Sequence, residues 1–141
     1  MLRLARQAAA DIRAAGAEAY PNECCGVMFG REEEGDHVVE ALRPIVNARE
    51  AGEQYHRFLI TAEAMMRAEL EARRLGLEIV GFYQSHPDHP ARPSDYDREH
   101  ALPFYSYVIV RVAGGEPGPM TSWRLRPSRE AFDGEAVEIE A

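Results

Sequence analysis

Lysine is absent from this 141-residue chain, in which all sixteen basic residues are arginine. Its absence excludes a P-loop lysine, a Schiff-base lysine and a lysine general base, and so removes several enzyme classes at once. Genomic base composition produces the same bias, so the arginines carry no function on that ground alone. Cysteine is scarce as well: Cys24 and Cys25 are the only two and are adjacent. That rules out a disulfide framework, and it fails the spacing at which two thiolates grip one zinc. They read as small, mostly buried strand residues in a reducing cytoplasm. No apolar run approaches the roughly 18 residues of a membrane helix, and no basic start followed by a long apolar stretch marks a leader. These absences predict a soluble cytoplasmic protein without a membrane segment.

Positive charge is also in short supply. Asp and Glu number 24 against 16 basic residues, a net charge of −8. Such a surface repels phosphate backbones, so nucleic acid is a poor partner. Hydrophobic residues make up 45% and charged residues 28%, a mix that fits a folded chain, and the length fits one domain over 1–141.

Periodicity predicts the elements. Leu2, Leu4, Ala5, Ala8, Ala9, Ile12 and Ala15, with Arg and Gln between them, form a stripe read as an amphipathic helix from residue 2 to about 18. Pro21 and Asn22 punctuate it, and Glu23 to Gly30 reads as a short buried strand. A charged hairpin loop around Gly35 leads to a second strand from His37 to about Val46, and the polar stretch Asn47 to His56 reads as loop. After the extended piece Phe58-Leu59-Ile60, Thr61 is placed to cap a helix that runs to Leu75 and stops at Gly76. Ala62, Met65, Met66 and Leu70 are its expected buried side, the Met pair as core filling.

Glu78 to Gln84 reads as a central strand. Pro87, Pro90 and Pro93 enforce a loop, and Ser94 to about Leu102 a short helix. Strands follow from Phe104 to Val112, Met120 to Leu125 and Ala136 to Ile139, the first two separated by a Gly/Pro turn. This order implies an α+β fold, a mixed and mostly antiparallel sheet flanked by helices.

The chemistry concentrates between Gly81 and Asp97. On extended chain, Gln84 and His86 project from the same face and can meet one ion. Ser94 and Asp97, three apart, read as the N-cap and first turn of a helix. A capping pair without catalytic meaning has that same pattern. The partial positive charge of a helix N-terminus repels a metal unless a carboxylate screens it, and Asp97 stands where it can.

The stretch resembles the signature of the JAMM (JAB/MPN) zinc metallopeptidases. That signature has an upstream Glu, then His, Ser or Thr, His-Pro, a spacer, Ser, two residues and Asp. Glu23, Gln84, Ser85, His86, Pro87, Ser94 and Asp97 stand at those positions, with the family's spacing from His86 onward. Glu-Cys-Cys-Gly-Val-Met-Phe-Gly upstream, Gly-Phe-Tyr before the motif and Tyr-Ser-Tyr-Val-Ile-Val after it look like the short bacterial branch, which includes peptidases of sulfur-carrier proteins conjugated to cysteine. The likeness runs from about residue 2 to 126. It implies a single JAB/MPN domain with cytidine-deaminase-like layering. It also implies zinc held by two histidines and an aspartate with water in an open position. Carried over, His86 and Asp97 are ligands, Glu23 is the general base and acid, and Ser94 helps stabilise the tetrahedral intermediate. The implied substrate is an amide bond after the C-terminal tail of a ubiquitin-like or sulfur-carrier protein.

Gln84 stands where the first histidine ligand belongs. A neutral carboxamide oxygen is a poorer partner for zinc than an imidazole nitrogen. Three readings stay open: weakly bound zinc with Gln84 as an oxygen ligand, a substitute ligand from His100 or His89, or a binding module that recognises a tail or partner without cutting it. A zinc deaminase is excluded, because its His-x-Glu and Pro-Cys-x-x-Cys pattern is missing. His37 and His56 lie in regions without evident partners.

Overall fold

The computed structural model describes residues 1–47 and 60–141. The expected loop beyond Asn47, and Phe58 and Leu59 of the expected extended piece, lie outside the described residues. The chain order is β1 (Leu2–Leu4), α1 (Arg6–Ala19), β2 (Cys25–Glu33), β3 (Asp36–Ile45), α2 (Ala62–Arg74), β4 (Glu78–Pro87), α3 (Asp95–His100), β5 (Ser106–Ala113), β6 (Glu116–Leu125), β7 (Phe132–Glu135) and β8 (Val137–Ile139). The strands make one eight-stranded sheet in the order β7-β6-β5-β4-β2-β3-β1-β8. Four of its seven pairings are antiparallel and three parallel, the mixed sheet expected. No helix among the described residues is long and apolar enough to cross a membrane.

Successive side chains of a strand leave opposite faces, and β2 shows what each face buries. Val27 and Phe29 pack with Ala68, Ala72 and Ile79 under α2, whereas Met28 joins Leu2, Leu4, Ala9 and Ile12 under α1. The sheet is therefore covered on both sides, each fully buried Leu or Phe contributing about 1.5–3 kcal/mol. Gly26 permits a close approach at this centre: a Cβ there meets the Tyr83 ring at 2.1 Å. The β2–β3 hairpin turns through Glu34 and Gly35, both at positive φ, the two-residue turn whose twist matches the strands.

Several expectations are corrected. The first residues are a strand, not the start of a helix. Leu2 and Leu4 are both 0% exposed with Arg3 between them, and β1 pairs in parallel with β3 and β8. A period of two is thus hidden inside the helical stripe, and the helix begins at Arg6. On α2 the buried residues are Ala68 and Ala72, with Met65 partly buried beside them, while Ala62 is exposed and Met66 and Leu70 are 57% and 56% exposed. Small alanines let the helix close on Val27 and Phe29, a preference that side-chain size conceals. Strand β4 runs through the motif to Pro87, held by parallel pairing with β5 as far as Pro87↔Val112. Strand β6 begins at Glu116 and takes in Pro117 and Pro119; β7 joins it only from Ser122 onward, so prolines are tolerated on that free edge. Strand β7 itself was not foreseen, because residues 126–135 carry mainly polar and charged side chains.

The edge strands β7 and β8 are separated only by Ala136, so the sheet curls until its ends meet. A buried polar chain ties this closure. His37 contacts the Ser106 hydroxyl at 2.7 Å, and Ser106 and Ser122 both donate to Glu135 Oε2, at 2.7 and 2.8 Å. His37, read from sequence as lacking partners, is 0% exposed and edge-on to Phe104.

Candidate metal centre

Strand β4 presents the motif in alternation. Ser85 turns toward α1, where a Cβ on Gly16 lies 3.2 Å from its own Cβ. Gln84 and His86 turn to the opposite face. Ser85 then fixes the start of β2: its hydroxyl accepts the Cys24 N–H at 2.8 Å, and its own N–H donates to the Cys24 carbonyl at 3.3 Å. Glu23, one residue upstream, is thereby carried to the motif, and its carbonyl accepts from Asn47 at 3.4 Å. On the far side Ser94 and Asp97 form a reciprocal capping box at the start of α3, Asp97 N–H to Ser94 Oγ at 3.1 Å and Ser94 N–H to Asp97 Oδ2 at 2.8 Å. The cap aims the Asp97 carboxylate back at β4.

These elements converge on one nitrogen. His86 Nε2 lies 3.2 Å from Gln84 Oε1, 3.4 Å from Asp97 Oδ2 and 3.9 Å from Glu23 Oε1. Glu23, Gln84 and His86 are 3%, 3% and 1% exposed. The other ring nitrogen, Nδ1, is 2.8 Å from the Pro90 carbonyl. A carbonyl only accepts, so Nδ1 carries the hydrogen, and in the neutral ring Nε2 presents a lone pair to three oxygens. An N–H···O=C bond of this kind is how ligand histidines are oriented toward a metal.

The donors fit a cation. One nitrogen and oxygens of both kinds, amide and carboxylate, meet in a space where a positive centre removes their mutual repulsion. Glu23 Oε2 is also buried with no hydrogen-bond partner among the described residues, which costs about 1–3 kcal/mol or more in a closed site. No three His, Cys, Asp or Glu side chains among the described residues gather as a metal-binding group. A cation here would need the amide oxygen of Gln84 as its third donor beside His86 and Asp97.

The two carboxyls are driven apart. Burial, reinforced by Asp97, pushes Glu23 up to about 9. Burial pushes Asp97 up too, but the hydrogen bond and charge of a His86 that carries a proton on Nε2 as well, together with hydrogen bonds from Ser94, outweigh it and hold the carboxyl below its usual range. Neighbouring carboxyls separated in this way take different proton roles.

All five residues picked from the sequence thus sit around one point, Ser94 through the cap of Asp97. The two alternative imidazoles are placed otherwise. His89 stacks on His86, centroids 4.1 Å apart and planes at 22°, off the plane in which the Nε2 lone pair points. His100 stacks on Tyr96 and contacts its carbonyl through Nδ1 at 2.9 Å. Sequence reasoning missed Ser85 and Pro90 as positioning groups. It also missed an apolar cavity of about 260 Å³ that opens beside Gln84 and Asp97. A backbone carbonyl carries no sequence signal, and the cavity wall draws on strands that the motif does not include.

Known proteins agree with this architecture. Residues 5–126 match the family described as prokaryotic homologs of the JAB domain. A curated protein from Haloferax volcanii named desampylase is 34% identical over 95 residues, 67% of this chain and 66% of that protein, so the chain spans about two thirds of its relative's length. Among solved structures, a protein from Desulfitobacterium hafniense superposes with a TM-score of 0.86 at 27% identity, covering 99% of this chain and 93% of the other. A JAB1/MPN domain protein from Archaeoglobus fulgidus shares the fold with a TM-score of 0.62 at 18% identity, covering 100% and 98%. With the family match spanning most of its length, the chain belongs to the prokaryotic homologs of the JAB domain.

Proposed function

We propose that this chain is a zinc-dependent isopeptidase that hydrolyses an amide bond after the C-terminal tail of a ubiquitin-like or sulfur-carrier protein. The observation that carries the reading is the convergence of Gln84, Asp97 and Glu23 oxygens on a His86 Nε2 whose tautomer is set by Pro90. The likeness to a desampylase supports the substrate class. His86, Asp97 and Gln84 hold the metal, more weakly than two histidines and an aspartate do, because an amide oxygen is neutral. Zinc, when bound, lowers the pKa of its water and polarises a carbonyl.

The chain's own residues do the rest. Glu23, held protonated by burial while no cation is bound, would become the base when a bound cation favours its carboxylate. It then takes the proton of the attacking water and returns it to the leaving amine; among the described residues its Oε2 has no other hydrogen-bond partner. Ser94 Oγ accepts the Asp97 N–H, so its hydroxyl hydrogen remains to donate to the oxygen that gains charge as the amide is attacked. Ser85 is a positioning residue that keeps Glu23 against β4. The test is hydrolysis of an amide-linked tail conjugate with zinc supplied. Cleavage abolished by Glu23→Ala and by chelation is expected; cleavage that survives both removes the proposal.

Gln84 favours a second reading, a binding module that recognises such a tail without cutting it. It predicts tail binding with no hydrolysis at any zinc concentration.

A further inference from the structure

The hydrogen bonds that orient His86 do not end at Pro90. Between β4 and α3 the Pro90 carbonyl accepts twice, from His86 Nδ1 and from the Arg92 N–H, both at 2.8 Å. Ala91 is thus the centre of a three-residue turn, and its backbone sets the direction of the Pro90 carbonyl. The carbonyl of Ala91 in turn accepts the Thr121 hydroxyl at 2.7 Å, and Trp123 Nε1–H donates to the same Thr121 oxygen at 2.9 Å. Thr121 and Trp123 leave one face of β6, two residues apart, and the Trp123 ring lies over Gly134 of β7, 3.4 Å from where a Cβ there would stand. The loop is clipped at its other end by Asp88, which accepts the Tyr20 hydroxyl at 2.6 Å and the Gly114 N–H at 2.7 Å. The sheet does not need the Thr121 hydroxyl, because β6 is joined to β5 and β7 through its backbone. The Ile109 carbonyl opposite it is 3.4 Å away, so the hydroxyl favours the loop.

We infer that Thr121 is a positioning residue for His86: by holding the Ala91 carbonyl it aims the Pro90 carbonyl at Nδ1, and so keeps Nε2 turned to the oxygens of Gln84 and Asp97. Without that tie the turn at Ala91 relaxes and Nδ1 loses its fixed acceptor. Its hydrogen then exchanges with water, and in the neutral ring it is no longer kept off Nε2. An Nε2–H donates to Gln84 or Asp97 and uses up the lone pair that a cation needs. The consequence for the ring follows from the geometry alone; the consequence for zinc rests on the metal reading of the site.

Thr121→Val tests this, because it keeps the β-branched shape that suits a strand and removes only the hydroxyl. Thr121→Ala repeats the removal where Val unfolds the chain, and Thr121→Ser restores the hydroxyl; thermal midpoints are recorded for all three. The first readout is the His86 Nδ1 proton, followed by NMR in the full metal-free chain with labelled histidine rings. It is expected to exchange slowly in the parent and in Thr121→Ser, and at least about tenfold faster in Thr121→Val or Thr121→Ala. The second readout is zinc affinity by competition against a chromophoric chelator. A fall of about tenfold is expected for Val or Ala, the lower end of what losing an outer partner costs, with recovery in Ser. Exchange at the parental rate in the hydroxyl-free variants overturns the inference, as does fast exchange in the parent. Weaker zinc binding with the ring unchanged overturns it too, since Thr121 then acts by another route, and so do zinc affinities within twofold between parent and variants. Faster exchange with no zinc bound by any of the proteins upholds the positioning role and removes the metal reading.

Discussion

His86 Nε2 and Gln84 Oε1 meet at 3.2 Å on the same face of β4, and in the tautomer set by Pro90 that contact joins two acceptors. Three things reconcile them: a cation between the atoms, a proton on Nε2, or a turn of the amide so that its NH₂ donates to Nε2. The last two close the site without a metal, so in the proposed function Gln84 is both a weak ligand and a competitor for the ligand beside it. Gln84→His removes the competitor and adds a nitrogen donor. Zinc affinity is expected to rise by ~10- to 100-fold or more, read by competition against a chromophoric chelator. Equal affinities in the two proteins contradict the placing of residue 84 in the metal's coordination.

Ser85 joins the two halves of the site through the Cys24 backbone. In Ser85→Ala the part-buried Cys24 N–H loses its acceptor, at a cost of about 1 kcal/mol or more. The denaturant midpoint is expected to fall accordingly. Turnover falls further than stability explains, because Glu23 is no longer held in register with β4. A variant with lowered midpoint but unchanged kcat, assayed where it is fully folded, shows that the clip is structural alone.

The proposed function adds a second task to the capping by Ser94, and one substitution separates the two. Glycine at an N-cap costs only a few tenths of a kcal/mol relative to serine but has no hydroxyl to donate. Ser94→Gly is therefore expected to melt near the parent temperature while kcat falls by about 10²-fold, the usual cost of one donor to a developing oxyanion. Loss of stability and activity in step means that the residue only caps α3 and aims Asp97.

How far the sequence carries depends on the range of the interaction. Gln84, His86, Ser94 and Asp97 are legible because strand alternation and the three-residue step of a cap are local rules. Glu23 was found only through the family resemblance, since nothing local links it to residue 85. The order of elements from β2 to β5 was largely legible for the same local reason. Leu2 and Leu4 were misread because a three-residue strand supplies too few alternations to outweigh the helical stripe after it. Met66 and Leu70 were misread because size marks apolarity, not proximity, and Ala68 and Ala72 are what fit against Phe29. Strand β7 and the His37–Ser106–Glu135 chain depend on the closure of the sheet, a contact across 29 to 69 positions that no local pattern records.

That buried chain predicts acid sensitivity remote from the candidate metal centre. Ser106 donates to Glu135, so it accepts from His37 Nδ1, and His37 Nε2 is buried with no partner among the described residues. Burial, with the nearby Arg124 charge, lowers the His37 pKa from 6.5 to about 4. A histidine with a depressed folded pKa takes up a proton more readily when unfolded. Its contribution is thus fully present above about 6.5 and is lost as pH falls from there toward 4. At pH 5 the loss reaches up to ~2 kcal/mol. Burial pushes the Glu135 carboxyl up, but the hydroxyls of Ser106 and Ser122 and the charge of Arg124 outweigh it and hold it below its usual range. Its own contribution disappears at still lower pH, in the same direction. His37→Leu removes the titrating ring and leaves the Ser106–Glu135 bond in place. Urea midpoints measured at pH 7.5, 6 and 5 are expected to decline for the parent chain and to decline distinctly less for the variant. Parallel declines assign the acid sensitivity to other groups.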